Sequence, residues 1–323
     1  MGKSLSPERA AGRVTLNTLT SSRRNIGWNL LWLQPLLFIA VFFALTFAGF
    51  AQAPVEVLNQ KVTNGSAEQK RDALMQLRNL RSEAASRAAA PALQDSNDMV
   101  RATAAATVVF LPKQEALRVL MPLLKDKSPF VRKEVAYAVG EVSDPTPLLG
   151  EDKDDDIASA LRLLLEKDKD LEVRSAAAIA MGKAGGLHSV WYLYFFLQST
   201  PKSEANDFLR RSAVRSIGTV AVRLRKSSEE LPAPRRDISP DKYREMDFSQ
   251  YFRSFGSASR TLVEILQNKS ESDDIRREAA EALGNIGVLS AEPALSANSA
   301  AGDPYLANIC KEALQKLKNI KPF

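Results

Sequence analysis

The segment SPFVRKEVAYAVGEV (128–142) spaces its apolar residues along one stripe of an amphipathic helix: Val131, Val135, Ala136, Val139 and Val142. A single stripe of this kind has to be buried against something. The same pattern recurs along the chain. Gln69, Val100, Val131, Val173, Leu209, Ile275 and Leu306 take equivalent places, separated by 31, 31, 42, 36, 66 and 31 residues. Counting each of these as position 0, position 4 holds the small residues Ala73, Ala104, Val135, Ala177, Ala213, Ala279 and Cys310. Position 8 holds Leu77, Val108, Val139, Met181, Ile217, Leu283 and Leu314, all large and apolar. Small residues let neighbouring helices approach, and large ones fill the space between them. Position 9 holds Gly140, Gly182, Gly218 and Gly284, which read as glycines that ease a tight helix exit.

Shorter apolar segments lie between these helices, as in EALRVLMPLLKD (115–126) and IASALRLLLEKD (157–168). The predicted unit is an antiparallel helix pair, and its repetition predicts an all-α solenoid. The step of 66 reads as one repeat with an insertion at about 224–256.

The pattern V-R-x-x-[AV]-A-x-A-[LIV]-G resembles the second helix of a HEAT-like repeat, of the short type also found in phycobilin lyases. The resemblance covers about residues 64–320 and implies an α-α superhelix. It also bears on a set of charges. Asp95 and Arg101, Asp126 and Arg132, Asp168 and Arg174, and Glu204 and Arg210 all stand six residues apart. In HEAT-like repeats an inter-helix aspartate and a helix arginine at this spacing form a ladder along the stack. The resemblance therefore implies capping and ladder pairing rather than a row of ligand-binding arginines. Ser270 stands where the acid would precede Arg276, so the ladder is expected to break there.

Charge changes the picture in one respect. Of the net +6, the first 53 residues contribute five bases and one acid, which leaves +2 for the repeats. Nucleic-acid binding needs clustered cations, and the repeat region is nearly neutral, so no nucleic-acid partner is expected. One cysteine, Cys310, excludes an intrachain disulfide and sits in the small-residue column. One histidine, His188, cannot supply the paired His-Glu motifs with which deoxyhypusine hydroxylase, an enzyme of HEAT-like architecture, binds iron. The acidic run GEDKDDDI (150–157) lacks the glycine and glutamate of an EF-hand and reads as a helix-start loop. No catalytic constellation, metal centre or cofactor is expected.

Residues 30–50 are uncharged and strongly apolar, and they follow Arg23 and Arg24. This segment of 30–53 reads either as a membrane anchor or as a signal peptide cleaved after Ala53. Residues 1–29 are then a basic cytoplasmic segment, and the repeats lie on the far side of the membrane, in the cell envelope.

The expected function is an exported or membrane-anchored scaffold that binds a protein or peptide. The alternative is a lyase-like chaperone or enzyme that holds a small prosthetic group, for which the aromatic run LHSVWYLYFFLQ is the best support. Helix phase leaves positions 6 and 10 outside the buried stripe. In the first four repeats these positions supply Met75, Phe110, Tyr137 and Ile179, joined by Lys183 and then Arg215. These six are the candidate partner-binding residues; closure of the superhelix over them is the competing reading. The insertion carries Tyr243, Phe248, Tyr251, Phe252 and Phe255, either as part of a binding face or as rings packed onto the solenoid.

Overall fold

Helix starts are fixed locally by short polar side chains. Ser66, Ser82, Asn97, Asp170 and Ser272 each accept a hydrogen bond from an amide of the first turn that follows. At Ser66 the cap is reciprocal, because the Gln69 side chain accepts from the Ser66 amide. Gln69 therefore serves as a capping residue, unlike its six apolar counterparts at position 0.

The computed structural model describes residues 55–143, 153–229 and 248–319. Residues 1–29, the apolar stretch 30–53, the start of the acidic loop and most of the insertion lie outside the described residues. The chain divides into two units, Met1–Gln52 and Ala53–Phe323; the second contains everything described below. Every regular element among the described residues is helical. None of these helices is long and apolar enough to cross a membrane.

The helices follow one another in pairs. The first pair is α1 (55–64) and α2 (Ala67–Asn79), the second α3 (Glu83–Ala89) and α4 (Asp98–Thr107). Next come α5 (Lys113–Leu120) with α6 (Pro129–Val142), and α7 (Lys153–Lys167) with α8 (Leu171–Ala184). The array ends with α9 (Leu187–Ser199) and α10 (Glu204–Glu229), α11 (Phe248–Gln267) and α12 (Asp273–Ile286), and α13 (Glu292–Asn298) and α14 (Pro304–Asn319). The second helices pack one on the next from α2 to α14, and α7, α9, α11 and α13 do the same in the other layer. Two first helices, α3 and α5, tighten into 3₁₀ turns at Ala90–Gln94 and Met121–Lys125. Each turn has a proline, Pro91 or Pro122, near its start; proline lacks an amide hydrogen and crowds the carbonyl four residues back.

The stripe read from the sequence is the core. Val100, Val131, Val173, Leu209, Ile275 and Leu306 at position 0 are buried, as are all seven residues at position 4. The array begins upstream of residue 64, because α1 buries Leu58 and Val62 in the same core. From the insertion, Phe255 is fully buried on α11, which packs on α9 and α12.

The position 9 glycines do not serve as helix exits. Each lies inside its helix, and a Cβ there would meet the next second helix. From Gly140 it would lie 2.8 Å from Ala180 Cα, and from Gly182 2.8 Å from Ser216 Cβ. From Gly218 it would lie 2.9 Å from Ala282 Cα, and from Gly284 2.8 Å from Ala313 Cα. All four facing residues occupy position 7, so one close crossing repeats down the C-terminal half of the stack. The exit role belongs to Gly287, which ends α12 in the left-handed region at φ 78°.

Candidate partner-binding face

In the first three repeats a ladder ties the second helix to the loop of the following repeat. Arg101 donates two hydrogen bonds of 2.9 Å to Asp126 and a third to the Asp95 carbonyl. Arg132 does the same with Asp168, at 2.7 and 2.8 Å, and with the Asp126 carbonyl. Lys70 takes the arginine's place in the first repeat, 2.7 Å from Asp95. Asp95, Asp126 and Asp168 also accept the amides of Asn97, Ser128 and Asp170. Burial pushes these three carboxyls up, but the cationic partners and the amides outweigh it and hold them below the ordinary value.

Beyond Arg132 the pattern changes. Arg174 donates to the Leu165 carbonyl and stands over the Phe196 ring. Glu204 is solvent-exposed, and the carboxylate that meets Arg210, at 2.7 Å, is Glu271. Its extra methylene lets it reach from the residue after Ser270. Arg276 turns to the Leu266 carbonyl and to Asn298. The ladder is therefore interrupted at Arg174, which was not expected, and again at Arg276, while Glu271 takes the place left by Ser270.

A second row of charges, which the sequence reading missed, runs along the starts of the second helices. Lys133 lies over the Phe130 ring and pairs with Glu172 of the next repeat at 2.8 Å. Arg211 lies over Phe208 and pairs with Asp274. Arg277 pairs with Asp303 and lies over Tyr305. For Lys133 and Arg211 the signal was present: a cation three residues after an aromatic ring, with an acid in the ring's register one repeat later; Arg277 lacks it, its ring and its acid both lying in the following repeat.

Position 6 faces solvent along the array, but its two halves differ. Met75 is 52% exposed, and Ala106, Tyr137 and Ile179 are half-buried. Burial pushes the Tyr137 hydroxyl up from its ordinary pKa. Arg215 continues the column and is exposed, yet it pairs with Glu278 on α12. Glu281 and Glu312 complete it as exposed charges. At position 10, Phe110 is half-buried beneath Arg81, whose guanidinium is 5.7 Å from the ring centre, and Lys183 is exposed. Met75, Tyr137 and Ile179 thus share one column with Arg215, while Phe110 and Lys183 stand one turn further on. Arg78 comes within 3.9 Å of Glu141, linking α2 to α6 at the edge of this face.

Other features are less suggestive of a site. Beside Glu141 and Lys183 a cleft of about 600 Å³ is bounded by Lys113, Ser143 and Arg223. Two clefts of about 370 and 420 Å³ flank the buried Arg210–Glu271 pair. Cys310 is buried, and its thiol is pushed up to about 11 by burial. His188 is exposed at the start of α9. No group of three His, Cys, Asp or Glu side chains converges among the described residues.

Residues 87–148 match the family described as HEAT repeats. That stretch runs from α3 through α6 and contains two turns of the position 0–4–8 pattern that the remaining pairs repeat. The chain is a HEAT-like repeat protein. No curated protein matches it. This HEAT-like repeat protein is similar in fold to the CpcE–CpcF complex of phycocyanin lyase from Nostoc sp. PCC7120, with 18% identity and a TM-score of 0.46, over 82% of this chain and 87% of that one. Human deoxyhypusine hydroxylase, in complex with glycerol, is 18% identical with a TM-score of 0.35, over 84% of this chain and 99% of its own. A designed armadillo repeat protein in complex with the peptide (KR)4 is 18% identical with a TM-score of 0.42, over 80% and 98%.

Proposed function

We propose that this HEAT-like repeat protein is an exported or membrane-anchored scaffold, not an enzyme, and that it holds a protein or peptide on the second-helix face of its N-terminal half. One observation carries the reading: the contrast along position 6. From α10 onward that column is charged, and its first cation is already paired across repeats through Arg215 and Glu278. From α2 to α8 it is Met75, Ala106, Tyr137 and Ile179, partly open to solvent and held on rigid helices. An apolar row on an otherwise polar helix face favours a partner, and Tyr137 and Phe110 are the residue types that commonly anchor one. The anchoring element is the apolar run 30–50.

The test is the double variant Phe110→Ala, Tyr137→Ala, with partners identified beforehand by proximity labelling from the native protein. Loss of those partners with a near-normal melting temperature is expected. A large drop in melting temperature would place both rings in the core and remove the proposed face. For the prosthetic-group alternative, the distinguishing result is a coloured or ligand-bound protein after purification from its native source.

A further inference from the structure

The helix α9 has no charged residue in its thirteen positions, LHSVWYLYFFLQS. One side of it is spent on the core: Ser189, Val190, Leu193, Phe196 and Leu197 are buried. The other side presents rings. Trp191 and Phe195, one turn apart, are 39% and 49% exposed and meet edge to face with centroids 4.7 Å apart. Tyr194 joins them, 5.1 Å from Phe195 and 5.9 Å from Trp191. Singly exposed aromatic residues are ordinary. Three touching rings on a charge-free helix form a rigid apolar patch with polar tips, the composition that settles at a membrane–water boundary.

We infer that this outward face of α9 rests on a lipid surface. The occupant is indicated by the rest of the chain. Residues 30–50 carry no charge and are long enough to span a bilayer, and they end five residues before α1. The first helix of the first pair is thereby tied covalently to lipid, and α9 is the first helix of the fifth pair. A tethered domain meets the bilayer at high effective concentration, so a patch of three rings suffices where a free protein would need more. A protein partner would find no charged side chain on α9 itself, and Arg162 of α7, which stands over the Tyr192 ring, already pairs with Glu166. The inference rests on the anchored form of the proposed function.

The full-length protein contains three tryptophans, Trp28, Trp32 and Trp191. The variant Trp28→Phe, Trp32→Phe leaves Trp191 as sole reporter and is reconstituted into phosphatidylcholine–phosphatidylglycerol vesicles with or without brominated phosphatidylcholine. Rings at the boundary sit within ~10 Å of the acyl chains, so the bromines should cut Trp191 emission about twofold. Phe195→Ser in the same background should restore much of that emission without changing helicity. Vesicle flotation separates the two ways to fail. Protein that floats with unchanged Trp191 emission overturns the lipid contact while leaving the anchor standing. Protein that does not float overturns the anchor, and the inference with it.

Discussion

Replacing Gly218 by alanine tests how the stack is packed. Gly218 lies in the interior of α10, where alanine ordinarily stabilises by about 0.5–1 kcal/mol through helix propensity. Here the added Cβ would lie 2.9 Å from Ala282 Cα and 3.0 Å from Ala282 Cβ on α12. Carbon atoms pack at about 3.5–4.0 Å, so the helices would have to part by several tenths of an ångström. The nearest atom is backbone and cannot rotate away. Overpacking of this kind costs about 1–3 kcal/mol, which offsets the propensity gain and leaves a net loss of up to about 2.5 kcal/mol. Gly256, on α11, is the matched control: nothing lies within 4 Å of its added Cβ, so Gly256→Ala should stabilise. Urea denaturation followed by circular dichroism gives the sign for each variant. Because repeat arrays can unfold in parts, amide hydrogen exchange in α10 and α12 gives the local reading. Stabilisation by Gly218→Ala equal to that by Gly256→Ala would refute the close crossing.

Asp126→Ala should cost about 3–5 kcal/mol, well above the ~1 kcal/mol of a lost cap, because Arg101 would be left buried without its carboxylate; chemical denaturation decides between the two figures. Glu271→Ala should lower the melting temperature markedly and Glu204→Ala hardly at all, since Arg210 pairs with the former and Glu204 is exposed. The depressed carboxyls of Asp95, Asp126 and Asp168 predict an acid dependence of definite sign. Their contribution is fully present above the ordinary value of 3.8 and is lost as the pH falls through the lower folded values. Melting temperature measured from pH 7 to 2.5 should drop most steeply below that value, and less steeply in Asp168→Asn.

The repeat was legible because burial imposes a period on the sequence. Val131, Val135 and Val139 announce one buried stripe, and their counterparts from Val100 to Leu306 announce its neighbours. Residues whose role depends on the facing helix could not be read that way. Gly140, Gly182, Gly218 and Gly284 occupy one column, but only the approach of Ala180, Ser216, Ala282 and Ala313 shows that they are contact points. Glu271 escaped because a side chain one methylene longer than aspartate reaches the same arginine from a neighbouring position. Arg215 read as an open cation until Glu278 was seen beside it, 63 residues away. Of the candidate face, the column and its apolar and charged halves were visible in helix phase, whereas the pairing of Arg215 with Glu278 needed the contacts between repeats.

The most direct test of the partner-binding face places a photoreactive amino acid at Met75, at Ile179 and, as a control away from the apolar column, at Tyr305, which is 71% exposed. After irradiation in the native host, covalent adducts to one and the same partner are expected from Met75 and Ile179 and not from Tyr305. Adducts to that partner from Tyr305 alone, or equally from all three positions, would contradict the proposed face.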